Sequence, residues 1–177
     1  MKMLRYILFA LFIYQYSLAN ENILDQYPQS DLYSKPTEFI PGVFSAIGAT
    51  APPTYENSGH NNNLSFVVTP NGVVVINSGA SFRLAKAIHH EIKQVTDQPV
   101  KLVINENGQG HAMLGNSYWS RIGVDIIAHE DAILEVEENA YQILERMKRY
   151  NKEKAVGTTV VLANISFSDK YLFNIGG

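Results

Sequence analysis

The five histidines and the absence of cysteine limit the metal and nucleophile chemistry that this sequence can support. Thiolate sites and disulfides are excluded, so a transition metal would have to be held by imidazole, carboxylate or water. The histidines, in chain order, are His60, His89, His90, His111 and His129. Whether any of them can act together depends on the elements that position them.

A first helix is predicted to begin after Ser81, whose side chain can cap it. Its apolar residues recur at steps of four, four and three, which is helical spacing. These residues are Leu84, Ile88, Ile92 and Val95. His89 and His90 fall beside or behind this stripe, so we expect both side chains to be exposed to solvent.

A longer helix is predicted from Glu130 to Tyr150. Its first turn is acidic and its last turn is basic, which suits the helix dipole. The expected inner face consists of Ile133, Val136, Ala140, Ile143 and Met147. His129 then stands at the start of the helix, where a capping role is favoured over metal ligation.

Short apolar runs predict the strands. Leu64–Thr69 and Gly72–Ile76 are joined by Pro-Asn-Gly and predict a β-hairpin, and Phe39–Ile47 predicts a turn followed by a short strand. Further strands are expected at Lys101–Asn105, Val124–Ala128, Thr159–Ile165 and Tyr171–Asn174, and a third helix at Ala112–Ile122. This order predicts an α/β (α+β) fold, a mixed β-sheet flanked by helices, with one sheet face that no element evidently covers.

The first 19 residues have the pattern of a signal peptide. Lys2 and Arg5 form a positive segment, residues 6–14 are apolar, and Ser17-Leu18-Ala19 supplies small residues before a cleavage site. The apolar stretch is shorter than the roughly 20 residues that cross a bilayer. We therefore predict cleavage after Ala19, an exported protein located in the periplasm, and no stable membrane span in the mature chain.

The mature chain would carry 12 of the 14 lysines and arginines against 17 acidic residues, a formal charge of −5. Nucleic-acid binding depends on basic residues that neutralise phosphates, so no nucleic-acid partner is predicted. Residues 20–38 are polar, without a clear period, and are predicted to form an irregular lead-in. Residues 39–177 are predicted to form one domain.

Four blocks of the sequence together resemble the metallo-β-lactamase superfamily, especially its exported bacterial hydrolase-like members. They are Gly59–Thr69, Gly72–Gly79, Leu102–Asn105 and Gly115–Trp119, in this order. The resemblance covers residues 40–177, approximately. It implies that the mixed sheet and its helices form the first half of the αβ/βα sandwich of that superfamily.

In that superfamily the loop after the strand that matches Leu102–Asn105 carries His-x-His-x-Asp-His, which holds one or two zinc ions. In those four positions this sequence has Asn107, Gln109, His111 and Ala112. Carboxamides are weak donors for zinc, and alanine donates nothing. Asn77 stands where many members have an aspartate that orients a metal-binding histidine from behind, so its expected role here is a turn.

Two interpretations of this loop remain open. In the first, His111 binds a metal that activates water, with Glu106 or His60 as a further ligand, and the resemblance implies zinc as the cofactor. In the second, residues 107–111 form a polar, glycine-rich turn whose amides bond to the backbone. His111 would then be exposed or would cap the next helix.

The resemblance stops where the second half of the family's domain would begin. The family's later ligands, one of them in a His-Thr-x-Gly loop, have no counterpart, and no histidine follows His129. The resemblance implies a hydrolase with an altered, incomplete site and a small-molecule substrate of unknown identity. The alternatives are a non-catalytic periplasmic binding or assembly protein, a truncated remnant, or a chain whose site is completed by a second chain or protein partner.

Overall fold

The computed structural model describes residues 29–176, so the predicted signal peptide and most of the lead-in lie outside the described residues. In that range the chain forms one seven-stranded sheet whose strand order follows the sequence. The strands are β1 Thr37–Ile40, β2 Val43–Ala46, β3 Leu64–Thr69, β4 Gly72–Ile76, β5 Val100–Ile104, β6 Asp125–His129 and β7 Ile165–Phe167. Strands β1 to β4 pair antiparallel, and β4 to β7 pair parallel. The mixed sheet predicted from the sequence is confirmed.

Four α-helices accompany the sheet in the described range. They are α1 Phe82–Val95, α2 Gly110–Met113, α3 Asn116–Arg121 and α4 Glu130–Asn151, and a 3-10 turn at Lys152–Ala155 follows α4. The Ser81 side chain accepts a hydrogen bond from the backbone N–H of Leu84, as expected of a helix cap. None of these helices is both long and apolar enough to cross a bilayer, as far as the described residues go.

The helix predicted over Ala112–Ile122 is wrong in one respect, because it is two short helices. The break lies at Gly115, whose N–H donates to the carbonyl of Gly79 at 2.7 Å. A side chain at Gly115 would place its Cβ 2.0 Å from the carbonyl oxygen of Ser78. A tertiary contact between two backbones therefore ends α2, and helical spacing in the sequence cannot reveal it.

The main core lies between one face of the sheet and helices α1 and α3. Phe66, Val75, Ile88, Val103 and Trp119 are fully buried there. Burial at four-residue steps in α1 matches the predicted stripe as far as Ile92. Val95 is an exception at 44% exposure, because it is the last residue of the helix and the chain turns away at Thr96.

The opposite face of the sheet is partly covered by the chain itself. Val74, Leu102 and Ile127 are buried on this face, and residues 173–175 lie beside Val74 and Ile104. The strand predicted at Tyr171–Asn174 is therefore wrong, since this segment crosses the face as coil. The prediction that nothing covers this face is therefore wrong for its central part, where residues 173–175 lie against it.

The strand predicted at Thr159–Ile165 is displaced to β7, Ile165–Phe167. The Asn164 side chain explains its late start, because its Oδ1 accepts the N–H of Ile126 at 2.7 Å and its Nδ2 donates to the Asp125 carboxylate. The Asn164 side chain therefore occupies the backbone N–H of Ile126, with which a longer β7 would have paired. At the other edge, β1 begins at Thr37, two residues inside the predicted lead-in.

Candidate functional site at the loop after strand β5

The candidate loop is anchored at its base by two asparagines that bond to each other. Asn105 Nδ2 donates to Asn116 Oδ1 at 3.1 Å, and Asn116 Nδ2 donates to Asn105 Oδ1 at 2.8 Å. Asn116 Nδ2 also donates to the carbonyl of Val161 at 2.9 Å. Both asparagines are almost fully buried. This reciprocal pair ties the end of β5 to the start of α3, and every bond in it requires a neutral carboxamide.

Asn116→Asp removes both donor bonds while keeping the side-chain shape. At neutral pH it would bury a carboxylate against the Asn105 Oδ1 and the Val161 carbonyl, which are both acceptors. We expect the free energy of unfolding to fall by about 2 kcal/mol, and the loss to shrink in acid as the carboxyl group is protonated. Urea unfolding at pH 7 and pH 4 measures this. Asn139→Asp on α4 is the control, because the Asn139 side chain is exposed although it donates to the carbonyl of Glu135, and equal losses in the two variants would contradict a structural role for the pair.

Ala112 closes the far end of the loop. Its carbonyl accepts hydrogen bonds from the Ser78 N–H at 2.9 Å, the Ser78 hydroxyl at 2.9 Å and Asn105 Nδ2 at 2.8 Å. The residue has no exposed surface. A larger side chain at this position would meet a packed core and could not extend toward solvent. The Ala112 carbonyl therefore stabilises the loop through its hydrogen bonds.

The middle of the loop is also held by carboxamides. Asn107 Oδ1 accepts the N–H of Gln109 at 2.8 Å and so forms a local turn. Asn77 adopts φ +66°, in the left-handed region that asparagine tolerates, and its Oδ1 accepts the N–H of Glu106 at 3.2 Å. Asn77 thus adopts a conformation typical of turns and bonds to the loop itself.

His111 lies at the start of α2, half-buried, on the wall of a cavity of about 530 Å³. Burial lowers its pKa below the usual range, and the negative charge of Glu106 opposes that shift. His111 is therefore a neutral imidazole at pH 7. The cavity is lined by Pro53, Asn61, Gln109, Gly110, His111, Leu114, Glu135, Asn139, Gln142, Ile143, Arg146, Met147 and Tyr150.

The donors present in this loop do not fit a zinc site. Within residues 29–176, no group of three or more His, Cys, Asp or Glu side chains is arranged to hold a metal ion. His111 and Glu106 influence each other electrostatically, but Asn107 and Gln109 offer only amides and Ala112 is enclosed. A zinc site in a protein needs three or four imidazole, thiolate or carboxylate ligands.

His60 is buried and hydrogen-bonded to the backbone of another segment. Its ring has no exposed surface, and Nδ1 accepts the backbone N–H of Tyr33 at 2.9 Å. Burial lowers the pKa of His60 to about 4, although the carbonyls of Ala46 and Asn62 act in the opposite direction. Nε2 has no hydrogen-bond partner of ordinary geometry among the described residues. The ring therefore holds the segment around Tyr33 against the body of the fold.

The other histidines have structural contacts. His129 caps α4, since its Nδ1 accepts the N–H of Asp131 at 3.2 Å, which confirms the predicted role. His90 is exposed as predicted. The exposure expected for His89 is wrong, because its Nδ1 lies 2.6 Å from the Tyr118 hydroxyl and its ring packs against Trp119.

Solved structures whose fold is similar to that of this chain include metallo-β-lactamases. One from Pontibacter korlensis matches 81% of this chain and 56% of its own, with a TM-score of 0.58 and 20% identity. A HARLDQ-motif mutant of the Cronobacter sakazakii enzyme matches 81% and 50%, with a TM-score of 0.53 and 19% identity. The fold is that of the metallo-β-lactamases. At identities this low the likeness establishes the metallo-β-lactamase fold and leaves the activity open.

A third structure, the metallo-β-lactamase DIM-1 exposed to ceftazidime, matches 76% of this chain at 9% identity, with a TM-score of 0.53. The chain spans about half the length of these metallo-β-lactamases, between 50% and 56%. No family model and no curated protein matches the sequence significantly. Activity, substrate and partners of a whole metallo-β-lactamase are therefore matters for proposal here.

Most of the cavity wall was missed by sequence reasoning. Glu135, Asn139, Gln142 and Arg146 lie on the polar side of α4, where the pattern indicates a solvated helix face. They form a wall only because α2 and the loop that carries Asn61 pack beside α4. The spacing of polar residues at 135, 139, 142, 146 and 150 was the available signal, and it is equally typical of an exposed helix.

Proposed function

We propose that this chain is an exported, hydrolase-like protein with the metallo-β-lactamase fold whose altered site binds a small polar molecule beside His111, and that positions 107–112 do not hold zinc. The observation that carries this proposal is that polar groups of the loop are already engaged in hydrogen bonds within the protein. Asn107 bonds to Gln109, and the Ala112 carbonyl takes three hydrogen bonds. A loop bonded in this way keeps its shape without a metal, and Gln109, Gly110 and His111 face the cavity.

The cavity beside His111 has the size and composition of a small-molecule site. Its volume of about 530 Å³ lies within the range of known ligand pockets. Ile143 and the partly exposed ring of Tyr150 give it apolar contact area, and carboxamides with one acid and one guanidinium surround them. Such a mixture favours an uncharged or zwitterionic polar ligand over an apolar one.

A metal-dependent hydrolase is the second candidate, and one specific observation favours it. Burial lowers the pKa of His111, and the charge of Glu106 acts on it in the opposite direction, which indicates that the two side chains are neighbours. Two such donors could contribute to a zinc site if other ligands came from residues outside the described range or from a second chain. Under this candidate the mature protein would hydrolyse an ester, amide or thioester and would lose that activity with its metal.

The ligand-binding proposal predicts where small polar probes contact the protein. We expect acetate and N-methylacetamide, titrated separately into the ¹⁵N-labelled mature chain, to shift the amide resonances of residues 109–111 and 142–146. His111→Ala should weaken these shifts, because it removes part of the wall, and His90→Ala on the exposed side of α1 should not. Shifts confined to other surfaces, or equal effects of the two variants, would reject the proposal.

A further inference from the structure

The wall that α4 contributes to the cavity is a single polar stripe. Glu135, Asn139, Gln142, Arg146 and Tyr150 recur at steps of four, three, four and four residues. Residues at this spacing lie one above the other on one side of a helix. The cavity is therefore elongated along α4, and a ligand that fills it lies along the helix.

The two charged residues of this stripe are Glu135, at its first position, and Arg146, beyond which only Tyr150 follows. Glu135 and Arg146 are eleven residues apart, about 16 Å along the axis of an α-helix. Neither forms an ion pair with another residue in the range 29–176. They are too far apart to neutralise each other, so the cavity offers a negative end at Glu135 and a positive end at Arg146.

The rest of the cavity lining carries no permanent charge, since it consists of carboxamides, apolar side chains, His111 and Tyr150. Burial raises the pKa of Tyr150 to about 12, so its hydroxyl stays protonated at neutral pH. Gln142 stands between the two charged residues of the stripe on α4, and Gln109 lines the same cavity. A carboxamide presents both a donor and an acceptor, as a peptide bond does.

Together these groups match an extended zwitterion with neutral polar groups along its length. Resting on the proposed ligand-binding function, we propose that the occupant is a short extended peptide with free termini, its ammonium group at Glu135 and its carboxylate at Arg146. An extended chain advances 3.3–3.6 Å per residue, so a span of about 16 Å corresponds to about five residues. Its peptide groups face Gln109 and Gln142, and small side chains rest on Ile143.

The test measures binding of penta-alanine by titration calorimetry and compares it with two capped forms. N-acetyl penta-alanine loses the ammonium charge, and penta-alanine amide loses the carboxylate. We expect each cap to weaken binding to the wild-type mature chain about tenfold, because each removes one charge-assisted contact. A tripeptide, which cannot reach both ends, should bind more weakly than the pentapeptide.

Two variants assign each terminus to its residue. Glu135→Gln should bind the free and the acetylated peptide equally but still distinguish the amide, and Arg146→Gln should show the reverse. Glu138→Gln and Arg149→Gln, which make the same charge changes on the exposed remainder of α4, should leave all affinities unchanged. All four side chains are exposed, so circular dichroism should report unaltered folding.

The outcomes separate this inference from the proposed function. If acetate and N-methylacetamide shift residues 109–111 and 142–146 but the peptides do not bind, the peptide assignment is wrong and the ligand site stands. If capping has no effect, or Glu135→Gln and Arg146→Gln respond alike to both caps, the orientation and the zwitterion requirement are wrong. If neither the small probes nor the peptides bind there, both proposals fall.

Discussion

Gly115→Ala is expected to destabilise the protein by about 3 kcal/mol or more, because a Cβ at this position has no room. It would lie 2.0 Å from the Ser78 carbonyl oxygen and 3.0 Å from the side chain of Ala85. The Ser78 carbonyl also accepts the Trp119 indole N–H at 3.2 Å, so movement of this backbone disturbs the main core. Urea unfolding followed by tryptophan fluorescence measures the loss.

Gly123→Ala is the matched control for this prediction. Gly123 has φ +78°, and no other atom lies within 4 Å of the place that a Cβ would occupy. Alanine there therefore adds backbone strain of about 1 kcal/mol and no overlap. A Gly115 variant as stable as the Gly123 variant would show that α2 and α3 can separate from the turn at residues 77–79. That turn would then not hold the candidate loop.

Lowering the pH from about 6.5 to about 4 is expected to cost about 3 kcal/mol of stability through His60 alone. The pKa of His60 is lowered to about 4 by burial, whereas an unfolded histidine titrates near 6.5. Within this window the unfolded chain binds a proton that the folded chain excludes. The contribution of the neutral ring is therefore complete above pH 6.5 and is lost progressively toward pH 4.

Two measurements check this prediction. The His60 ring resonance should titrate near pH 4 in the folded protein, and unfolding in urea should become easier between pH 6.5 and 4. His60→Asn should lose most of that pH dependence relative to wild type, while His90→Asn, an exposed control, should keep it. A ring resonance that titrates near 6.5 would contradict the structural role of His60.

The sequence predicts best where local chemistry determines the structure. The hairpin of β3 and β4 was predicted to the residue, because Asn-Gly between β-branched runs favours one turn. The start of α1 was predicted from Ser81 for a similar reason. In the site, Asn77 could be assigned to a turn because asparagine tolerates the left-handed conformation that it adopts.

Prediction fails where a distant contact decides. The break at Gly115 depends on the Ser78 backbone, and the late start of β7 depends on the Asn164 side chain at the edge of β6. The cavity beside His111 was not predicted, since its α4 wall resembles any solvated helix face until α2 packs against it. Tertiary packing determines the helix break, the start of β7 and the cavity, and none of these can be inferred from helical or strand periodicity.

The central claim is that carboxamide bonding replaces metal coordination in the loop after β5. Equilibrium dialysis of the protein against roughly 1 µM free zinc tests it most directly, because a three-ligand protein site of ordinary affinity is saturated at that concentration. We expect zinc well below one ion per chain and unchanged amide resonances for residues 105–112. One tightly bound zinc per chain, released by His111→Ala or Glu106→Gln, would contradict the claim.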